Sequence, residues 1–462
     1  MLVNNSRHLT YCTNIHPGSN WESTFNSLKA HVPQIKEKVS DNASFGLGLR
    51  LSNKASEELD EGNHLNEFKT WLGQNDVYVF TMNGFPYGNF HDERVKENVH
   101  APDWTTRERV VYTKRLFNQL KELIPDGMEG GISTSPITYK HWYTSEQEKQ
   151  EAFIIGAKHL IEIALQLYHI ESSTGKYLHL DMEPEPDGLI ENSEEFLDFF
   201  DTYLVPIGAE TINNELGFEL VEAERIIKRY ITMCYDICHF SLAYEEPEAT
   251  FQKLQDAGIV IGKIQVSAAL KILYDEKRVD EIWEALSQFN EPTYLHQVTE
   301  LVNGKVKTYN DLPIVLEQRK EFTELRGHFH VPIFLEQFGC GDDRRTFFHI
   351  PAAGNVHGFL YARQADNPPD AIDLGGLFSQ LFYFAKSQLI KNIIRLDDHP
   401  DNFIRAEQLF KILVAGGFRK IYNLKIIDGG FERKVAHLPC EKKRNCQNYR
   451  NNNQILAKCP VQ

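Results

Sequence analysis

The chain has 462 residues, of which 42% are hydrophobic, 11% aromatic and 25% charged. This composition is typical of a globular protein and excludes collagen-like, coiled-coil and disordered classes. The formal net charge is −16, which disfavours a nucleic acid as the main partner because an acidic surface repels the phosphate backbone. No run reaches the roughly 18 apolar residues of a membrane-spanning helix, and we find no signal peptide, so we expect a cytoplasmic protein that does not span a membrane.

Charge and cysteine usage change near residue 340. Residues 340–462 hold 18 basic and 12 acidic side chains, whereas the preceding residues are strongly acidic. Four of the seven cysteines lie in this last segment: Cys340, Cys440, Cys446 and Cys459. Their spacings match no zinc motif, and an odd number of cysteines favours free thiols. We therefore expect one domain over residues 1–339 and a divergent tail over residues 340–462.

The first 339 residues alternate short β-branched or aromatic runs with longer runs of helical periodicity, the pattern of repeated βα units. Seven predicted strands cover residues 9–14, 46–51, 77–83, 128–134, 177–183, 230–236 and 260–266, and a weaker eighth covers 328–335. Asn20 is a candidate N-cap of a helix, and Pro33 is predicted to end that same helix. Repeated right-handed connections predict an α/β fold, a TIM (β/α)8 barrel, with a doubly wound open sheet as the alternative.

Polar side chains follow the predicted strands where each strand ends. In a barrel these ends meet at one mouth, where the chemistry of such enzymes is found. Glu183 follows the fifth strand, Asp236 ends the sixth, and His239 comes three residues later. His328 and His330 form a His-x-His pair in the eighth. Because Mn, Mg and Zn accept carboxylate and imidazole ligands, these residues predict a divalent metal site.

Each of these residues also has a structural interpretation. Asp236 can cap the helix that follows it, and His239 can be a loop histidine that binds nothing. One of His328 and His330 must point away from the site if that segment is extended. We favour a metal site because the residues converge from successive strand ends.

Further polar positions at strand ends are candidates for binding a substrate. They are His16, Arg50, Asn83, Gln265 and His328. Arg50 and Lys263 could hold a substrate phosphate, although a buried ion pair is the alternative for each. Cys234 is in phase with Asp236 along its strand, so it is either a thiol ligand or a small buried hydrophobe.

Seven motifs resemble those of one known family. They are HLTYCTNIHPG at 8–18, FGLGLRL at 45–51, NGFPYG at 83–88, APDW at 101–104, EPEP at 183–186, CYDICH at 234–239 and HFHVPIF at 328–334. In this order they resemble the EboE metabolite-traffic proteins, which belong to the xylose isomerase-like (sugar phosphate isomerase/epimerase) TIM-barrel superfamily. The resemblance extends over residues 7–339 and stops at Gly339.

The resemblance implies a barrel in which a Glu, an Asp with a nearby His, a further His and a last Glu surround a divalent metal. Glu183, Asp236 and His239 match the first two positions. Gln265 stands at the third, where it is a weaker ligand than His, and His330 matches a metal-binding histidine of phosphodiesterase relatives. The resemblance also implies that Glu183 is catalytic and removes a carbon-bound proton in an isomerisation or epimerisation through an enediolate.

The last strand of the family, which carries the second Glu, has no counterpart after Gly339. The eighth strand is therefore expected to be missing or irregular. The tail at 340–462 is either diverged and poorly ordered or the product of a changed reading frame. Glu185 and Glu336 are candidate substitutes for the second base that an epimerisation needs.

Three functions stay open on this evidence. The first is a metal-dependent sugar (phosphate) isomerase or epimerase that acts on a small polyhydroxylated metabolite. The second is a non-catalytic barrel that binds a secondary-metabolite precursor and hands it to proteins of the same gene cluster, including a prenyltransferase-like membrane protein. The third is an endonuclease IV-like metal phosphodiesterase, which the negative charge disfavours.

Overall fold

The computed structural model describes residues 2–3, 7–8, 10–40, 43–88, 96–290 and 295–329, and four short strand segments at 337–338, 348–349, 425–427 and 430–432. The candidate ligand His330, the candidate base Glu336 and almost all of the tail at 340–462 lie outside these residues. Two short antiparallel strands, β1 (Leu2–Val3) and β2 (Arg7–His8), come first in the chain.

A six-stranded parallel sheet forms the centre of the fold. Its strands follow one another in chain order: β3 (Phe45–Arg50), β4 (Val77–Asn83), β5 (Gly130–Thr134), β6 (Leu178–Met182), β7 (Ile231–Asp236) and β8 (Ile261–Gln265). Helices connect them, as right-handed βαβ units require. The predicted α/β class is confirmed, and each of these strands lies within two residues of a predicted one.

The sheet is strongly curved. Lys263 on β8 places its Nζ 3.0 Å from Ser133 Oγ on β5 and 3.4 Å from the Met82 carbonyl oxygen on β4. Because β4 and β8 are four strands apart, a flat sheet would separate them by about 19 Å, far beyond the reach of a lysine. The sheet therefore curls into a half-barrel whose interior is shared by side chains from its two ends.

The predicted first and eighth strands differ from the prediction. The described part of the first, residues 10–14, makes a single parallel bridge from Cys12 to Gly48 and then enters a 3₁₀ helix, Thr13–Ile15. Of the eighth, only His328 and Phe329 are described, and they follow a strand of a different, antiparallel sheet. Within the described residues β3 and β8 do not pair with each other, so this part of the barrel is open.

Helices surround the parallel sheet, and the last two of them pack against a second sheet. Those that the structure describes are α1 (Trp21–Val39), α2 (Asn53–Leu59), α3 (His64–Gln74), α4 (Arg107–Leu123), α5 (Glu146–Thr174), α6 (Ser193–Phe199), α7 (Val205–Leu216), α8 (Leu220–Tyr230), α9 (Ile237–Leu242), α10 (Pro247–Asp256), α11 (Val279–Ser287) and α12 (Leu312–Gln318). None of these combines the length and the apolar character that crossing a bilayer requires.

Helix α1 begins where the sequence predicts and continues past the predicted end. The Asn20 side chain accepts a hydrogen bond of 2.9 Å from the Ser23 backbone N–H, so it is the N-cap. The helix does not end at Pro33 but runs through it to Val39. Val32 and Ile35, on either side of the proline, are fully buried in the core. Their burial offsets the one backbone hydrogen bond that proline cannot donate.

A second, antiparallel sheet follows the parallel one and was not predicted. Its strands are β9 (Leu270–Leu273), β10 (Val298–Val302), β11 (Lys305–Tyr309), β12 (Glu324–Gly327), β13 (Gln337–Phe338) and β14 (Phe348–His349), in the order β11-β10-β12-β9-β14-β13. Together with α11 and α12 it surrounds its own core, which includes Trp283 and Leu325. A last pair, β15 (Lys425–Ile427) and β16 (Gly430–Glu432), is separate.

Polar side chains fill the lower interior of the half-barrel. On β6, His179 and Asp181 alternate with apolar residues that face the helices. Asp181 Oδ1 lies 2.6 Å from His179 Nδ1 and accepts a 2.5 Å hydrogen bond from Thr232 Oγ1 on β7. A Cβ added at Gly262 of β8 would lie 2.0 Å from the same Asp181 oxygen. The glycine therefore provides the space that this buried cluster occupies.

We expect Gly262→Ala to lower the free energy of unfolding by about 2–3 kcal/mol, because the new methyl group displaces Asp181 from its hydrogen bonds. Denaturant titration followed by circular dichroism measures this change. Gly73→Ala, on the exposed side of α3 with no atom within 4 Å of the new Cβ, is the matched control. It should be neutral or stabilise by up to about 1 kcal/mol. Equal effects of the two variants would contradict the packing described.

Candidate metal centre

Three of the four predicted metal ligands converge at the carboxyl ends of neighbouring strands. Glu183 directly follows β6, Asp236 ends β7, and His239 lies in the first turn of α9. One ligand atom from each lies within 4.8 Å of those of the other two. Asp236 and His239 are buried and Glu183 is half-buried. The fourth predicted ligand, His330, lies outside the described residues.

Asp236 serves two purposes, one with each carboxylate oxygen. Its Oδ1 caps α9 by accepting a 2.8 Å hydrogen bond from the Cys238 backbone N–H, and it also accepts a 2.5 Å bond from Ser267 Oγ. Its Oδ2 faces Gln265, whose Nε2 is 3.4 Å away. The helix cap and the site are therefore compatible, because the cap fixes the carboxylate plane and leaves Oδ2 directed toward Glu183.

The His239 ring is oriented by a backbone carbonyl. Its Nδ1 lies 3.0 Å from the Pro184 carbonyl oxygen and 3.6 Å from Glu183 Oε1. A ring N–H that donates to a carbonyl oxygen is the usual way in which a metal-binding histidine is held in one tautomer. The edge of the His328 ring packs on His239 at a centroid distance of 4.9 Å. His328 itself has its Nδ1 2.8 Å from Gln297 Oε1.

Gln265 joins the two carboxylates from β8. Its Nε2 donates a hydrogen bond to Glu183 Oε1 and lies 3.4 Å from Asp236 Oδ2. An amide has a donor and an acceptor on the same carbon, so rotation about the last side-chain bond exchanges the nitrogen for Oε1. Gln265 is therefore a candidate fourth ligand, at the position where the resemblance implies a histidine and this chain has the weaker ligand glutamine.

Burial raises the pKa of Glu183 to about 7. The neighbouring Asp236 raises this pKa as well, whereas His239 and Lys263 lower it, and a hydrogen bond from the Cys234 thiol also lowers it. Two buried carboxylates at this distance repel each other, and a divalent cation relieves that repulsion. Two oxygen donors, one imidazole and one amide therefore fit a divalent ion of the Mn, Mg or Zn class.

Lys263 and Asn83 meet below the carboxylates, and Lys263 makes no ion pair there. Its Nζ donates to Asn83 Oδ1, to Ser133 Oγ at 3.0 Å and to the Met82 carbonyl oxygen at 3.4 Å. Among the described residues no carboxylate lies within 4.0 Å of this ammonium group. The expected buried ion pair of Lys263 is therefore not found among the described residues, where neutral oxygens contact the ammonium group instead.

Two cysteines lie beside the carboxylates. Cys234 is fully buried on β7, and burial raises the pKa of its thiol well above the ordinary value. The pKa of the Cys12 thiol is also raised by burial. Both are therefore protonated thiols near neutral pH, which favours the interpretation of Cys234 as a hydrogen-bonding buried side chain over that of a thiolate ligand.

A neutral pair lies next to Glu183 and was not predicted as a pair. His100 Nδ1 is 3.3 Å from Glu185 Oε1. Burial lowers the pKa of His100 to about 3, and burial together with the charges of Glu183 and Asp236 raises that of Glu185 well above its ordinary value. The distance alone suggests an ion pair, but both pKa directions favour the uncharged forms, so we regard the pair as neutral near pH 7.

The described contacts of His16 and Arg50 are not with the three converging ligands. His16 Nε2 is 3.2 Å from the Tyr11 hydroxyl, and its ring stacks on His31. Arg50 donates to the backbone carbonyl oxygens of Gly18, Pro86 and Gly88, so it ties together the loops that follow neighbouring strands.

Comparison with known proteins gives structural likenesses only. No family model and no curated protein matches the chain, so the resemblance to the EboE proteins stays a prediction. The chain is similar to the IolI protein "with a binding zinc atom" (15% identity over 55% of this chain and 70% of that one, TM-score 0.32). It is similar to a D-tagatose 3-epimerase-like protein (13% identity over 56% of this chain and 74% of that one, TM-score 0.33). It is also similar to the probable 3-DHS dehydratase AsbF, involved in petrobactin synthesis, from Bacillus anthracis (13% identity over 58% of this chain and 75% of that one, TM-score 0.32).

The raised pKa of Glu183 makes the stability of the metal-free protein depend on pH. A carboxyl group whose pKa is raised on folding contributes most to the stability of the folded state at pH values below its ordinary pKa of 4.5. This contribution to stability is lost as the pH rises through about 7. In EDTA, we therefore expect Glu183→Gln to stabilise the protein by about 2 kcal/mol at pH 8 and to have little effect at pH 4.

Denaturant titration at the two pH values measures this difference. The control is Glu151→Gln, at an exposed position of α5, which should leave the stability unchanged at both. A destabilising effect of Glu183→Gln at pH 8 in EDTA would contradict the account, because it would mean that the ionised Glu183 carboxylate is not unfavourable in its buried surroundings.

Proposed function

We propose that this protein binds one divalent cation through Glu183, Asp236 and His239 and catalyses an isomerisation or epimerisation of a small polyhydroxylated metabolite. The observation that carries the proposal is the convergence of these three side chains within 4.8 Å at one edge of the curved sheet. A cation bound there would polarise neighbouring carbonyl and hydroxyl oxygens of a ligand. The remaining chemistry is proton transfer, which this chain's own carboxyl groups can perform.

Glu183 is suited to accept a proton near neutral pH. Its pKa of about 7 belongs to the metal-free protein; a bound cation would displace that proton, so the carboxylate would be ionised and able to accept a proton from the ligand. The hydrogen bond from Gln265 holds its Oε1 in place. The Asp236 carboxylate is fixed by Ser267 and by the helix backbone, so it orients the site and does not exchange protons in this scheme.

Glu185 is suited to return a proton. Burial and the neighbouring carboxylates raise the pKa of Glu185 well above its ordinary value, which favours its protonated form. A protonated carboxyl group beside an ionised one can divide the acid and base roles with it. The proposal therefore assigns the second proton transfer of an epimerisation to Glu185, in place of the Glu on the last strand of the family, which has no counterpart here.

A second candidate is a non-catalytic barrel that binds a metabolite and hands it to a partner protein, as the resemblance to metabolite-traffic proteins implies. It is favoured by the contact between Glu185 and His100, since a carboxyl group that lies against a buried histidine is less available for proton transfer to a ligand. The endonuclease IV-like alternative stays disfavoured, because the net charge of −16 opposes a polyanionic substrate.

The purified protein should bind about one Mn²⁺, and the affinity should fall about tenfold for each pH unit below 7, because the ion must displace the proton of Glu183. Isothermal titration calorimetry in two buffers of different ionisation enthalpy measures both the affinity and the proton released. His239→Gln and Asp236→Asn should each weaken binding strongly, and His141→Gln, at an exposed position, should not. Stoichiometric binding that neither ligand substitution weakens would contradict the proposed centre.

Proton NMR in deuterated water separates catalysis from binding. With a panel of ketoses and their epimers, the wild-type protein should exchange the hydrogen next to the carbonyl group. Glu183→Gln should reduce this exchange by about 10²-fold or more. Glu185→Gln should keep exchange from one epimer and lose the inversion. A protein that binds the metal yet exchanges no substrate in such a panel would support the handover function instead.

A further inference from the structure

Ser267 holds one oxygen of the Asp236 carboxylate. The serine is half-buried and lies two residues beyond Gln265, the last residue of β8. Its hydroxyl donates a 2.5 Å hydrogen bond to Asp236 Oδ1, and the same hydroxyl oxygen accepts a 2.8 Å bond from the Cys238 backbone N–H. A serine hydroxyl has a single hydrogen to donate. Ser267 therefore uses that hydrogen on Asp236 and has none left for a ligand.

Asp236 Oδ1 is surrounded by donors of the chain. Besides the Ser267 hydroxyl, the backbone N–H groups of Cys238 and His239 lie 2.8 Å and 3.4 Å from it. The two oxygens of a carboxylate offer about four lone-pair positions, or about two for each oxygen. An ion that bound Oδ1 would therefore have to displace at least one of these hydrogen bonds. Oδ1 is an oxygen that the chain has already occupied.

Asp236 Oδ2 is the oxygen on the side of the other ligands. Gln265 Nε2 lies 3.4 Å from Oδ2, and the same nitrogen donates to Glu183 Oε1. One side-chain amide therefore spans an oxygen of each carboxylate. The two oxygens of Asp236 thus have separate surroundings, since a serine and the start of a helix hold Oδ1 while Oδ2 faces the site.

Coordination through one carboxylate oxygen suits some divalent ions better than others. Ca²⁺ takes about six to eight oxygen ligands at about 2.3–2.6 Å, and a carboxylate that uses both oxygens supplies two of them. Mg²⁺ and Zn²⁺ are smaller, take fewer ligands and bind them at about 2.0–2.2 Å. A carboxylate that is restricted to one oxygen therefore favours the smaller ions over Ca²⁺.

We propose that Ser267 is a positioning residue that makes Asp236 a ligand through Oδ2 alone and thereby selects small divalent ions against Ca²⁺. The inference rests on the proposed function, because it presumes that Glu183, Asp236 and His239 bind an ion. It adds a residue that touches neither the ion nor a substrate and yet sets which ion is bound. Without the Ser267 hydroxyl, Oδ1 loses its shortest described hydrogen bond, and the carboxylate can turn both oxygens toward the ion.

Displacement of Mn²⁺ from the full-length protein tests this selectivity. Free Mn²⁺ gives a sharp electron paramagnetic resonance signal that broadens on binding, so titration with Ca²⁺ measures the affinity of Ca²⁺ relative to that of Mn²⁺. The variants are Ser267→Ala, which removes the hydroxyl, and Ser267→Thr, which keeps it. Ser287→Ala, which removes a hydroxyl at the exposed end of α11, is the matched control.

We expect Ser267→Ala to weaken Mn²⁺ binding by about 10- to 100-fold, the usual effect of losing a residue that orients a metal ligand. Ca²⁺ binding should weaken less, so the preference for Mn²⁺ over Ca²⁺ should fall at least about tenfold. Ser267→Thr should restore this preference, and Ser287→Ala should leave it unchanged. A merely structural role of Ser267 would lower both affinities together and leave their ratio as it is in the wild type.

The wild type gives a measurement that does not depend on the folding of any variant, since it should itself prefer Mn²⁺ to Ca²⁺. Equal affinity of the wild type for the two ions would overturn the inference. A wild-type ratio in Ser267→Ala would also overturn it, as would an equal loss of preference in Ser267→Ala and Ser267→Thr, because the hydroxyl would then not be the cause. Failure of the wild type to bind Mn²⁺ at all would instead refute the proposed function.

Discussion

The interior of the curved sheet contains more negative than positive charge, and this constraint shapes the whole centre. Glu183 and Asp236 are held close together at the end of neighbouring strands, where water cannot screen them fully. Among the described residues Lys263 is a cation that lies below these carboxylates, and it also bridges β8 to β4 and β5. A divalent ion would supply the remaining charge. The curvature that brings Lys263 to β4 and β5, the convergence of Glu183 and Asp236, and the raised pKa of Glu183 thus belong to one electrostatic arrangement.

Much of the fold could be predicted because its signals are local. In β6 the alternation of Leu178 and Leu180 with His179 and Asp181 shows which face meets the helices and which meets the interior. The same alternation brings Glu183 to the interior one residue after the strand ends. Asp236 and His239 were identifiable because they stand at and just after the end of a predicted strand, where a barrel gathers its polar side chains.

The parts that could not be predicted depend on contacts between distant residues. Lys263 and Asn83 are 180 residues apart, and no local pattern links them. Helix α1 continues through Pro33 because of burial against other elements, which propensity does not include. The antiparallel sheet did have a local signal that was missed: Asn303 and Gly304, both at positive φ, form the two-residue turn between β10 and β11.

The most direct test of the centre is anomalous diffraction from crystals grown with Mn²⁺. The account predicts one strong anomalous peak at bonding distance, about 2.0–2.3 Å, from side-chain atoms of Glu183, Asp236 and His239. It also predicts that the Gln265 amide turns its oxygen toward that peak. An anomalous map with no peak among these side chains, in crystals where Mn²⁺ is bound elsewhere on the protein, would contradict the central claim.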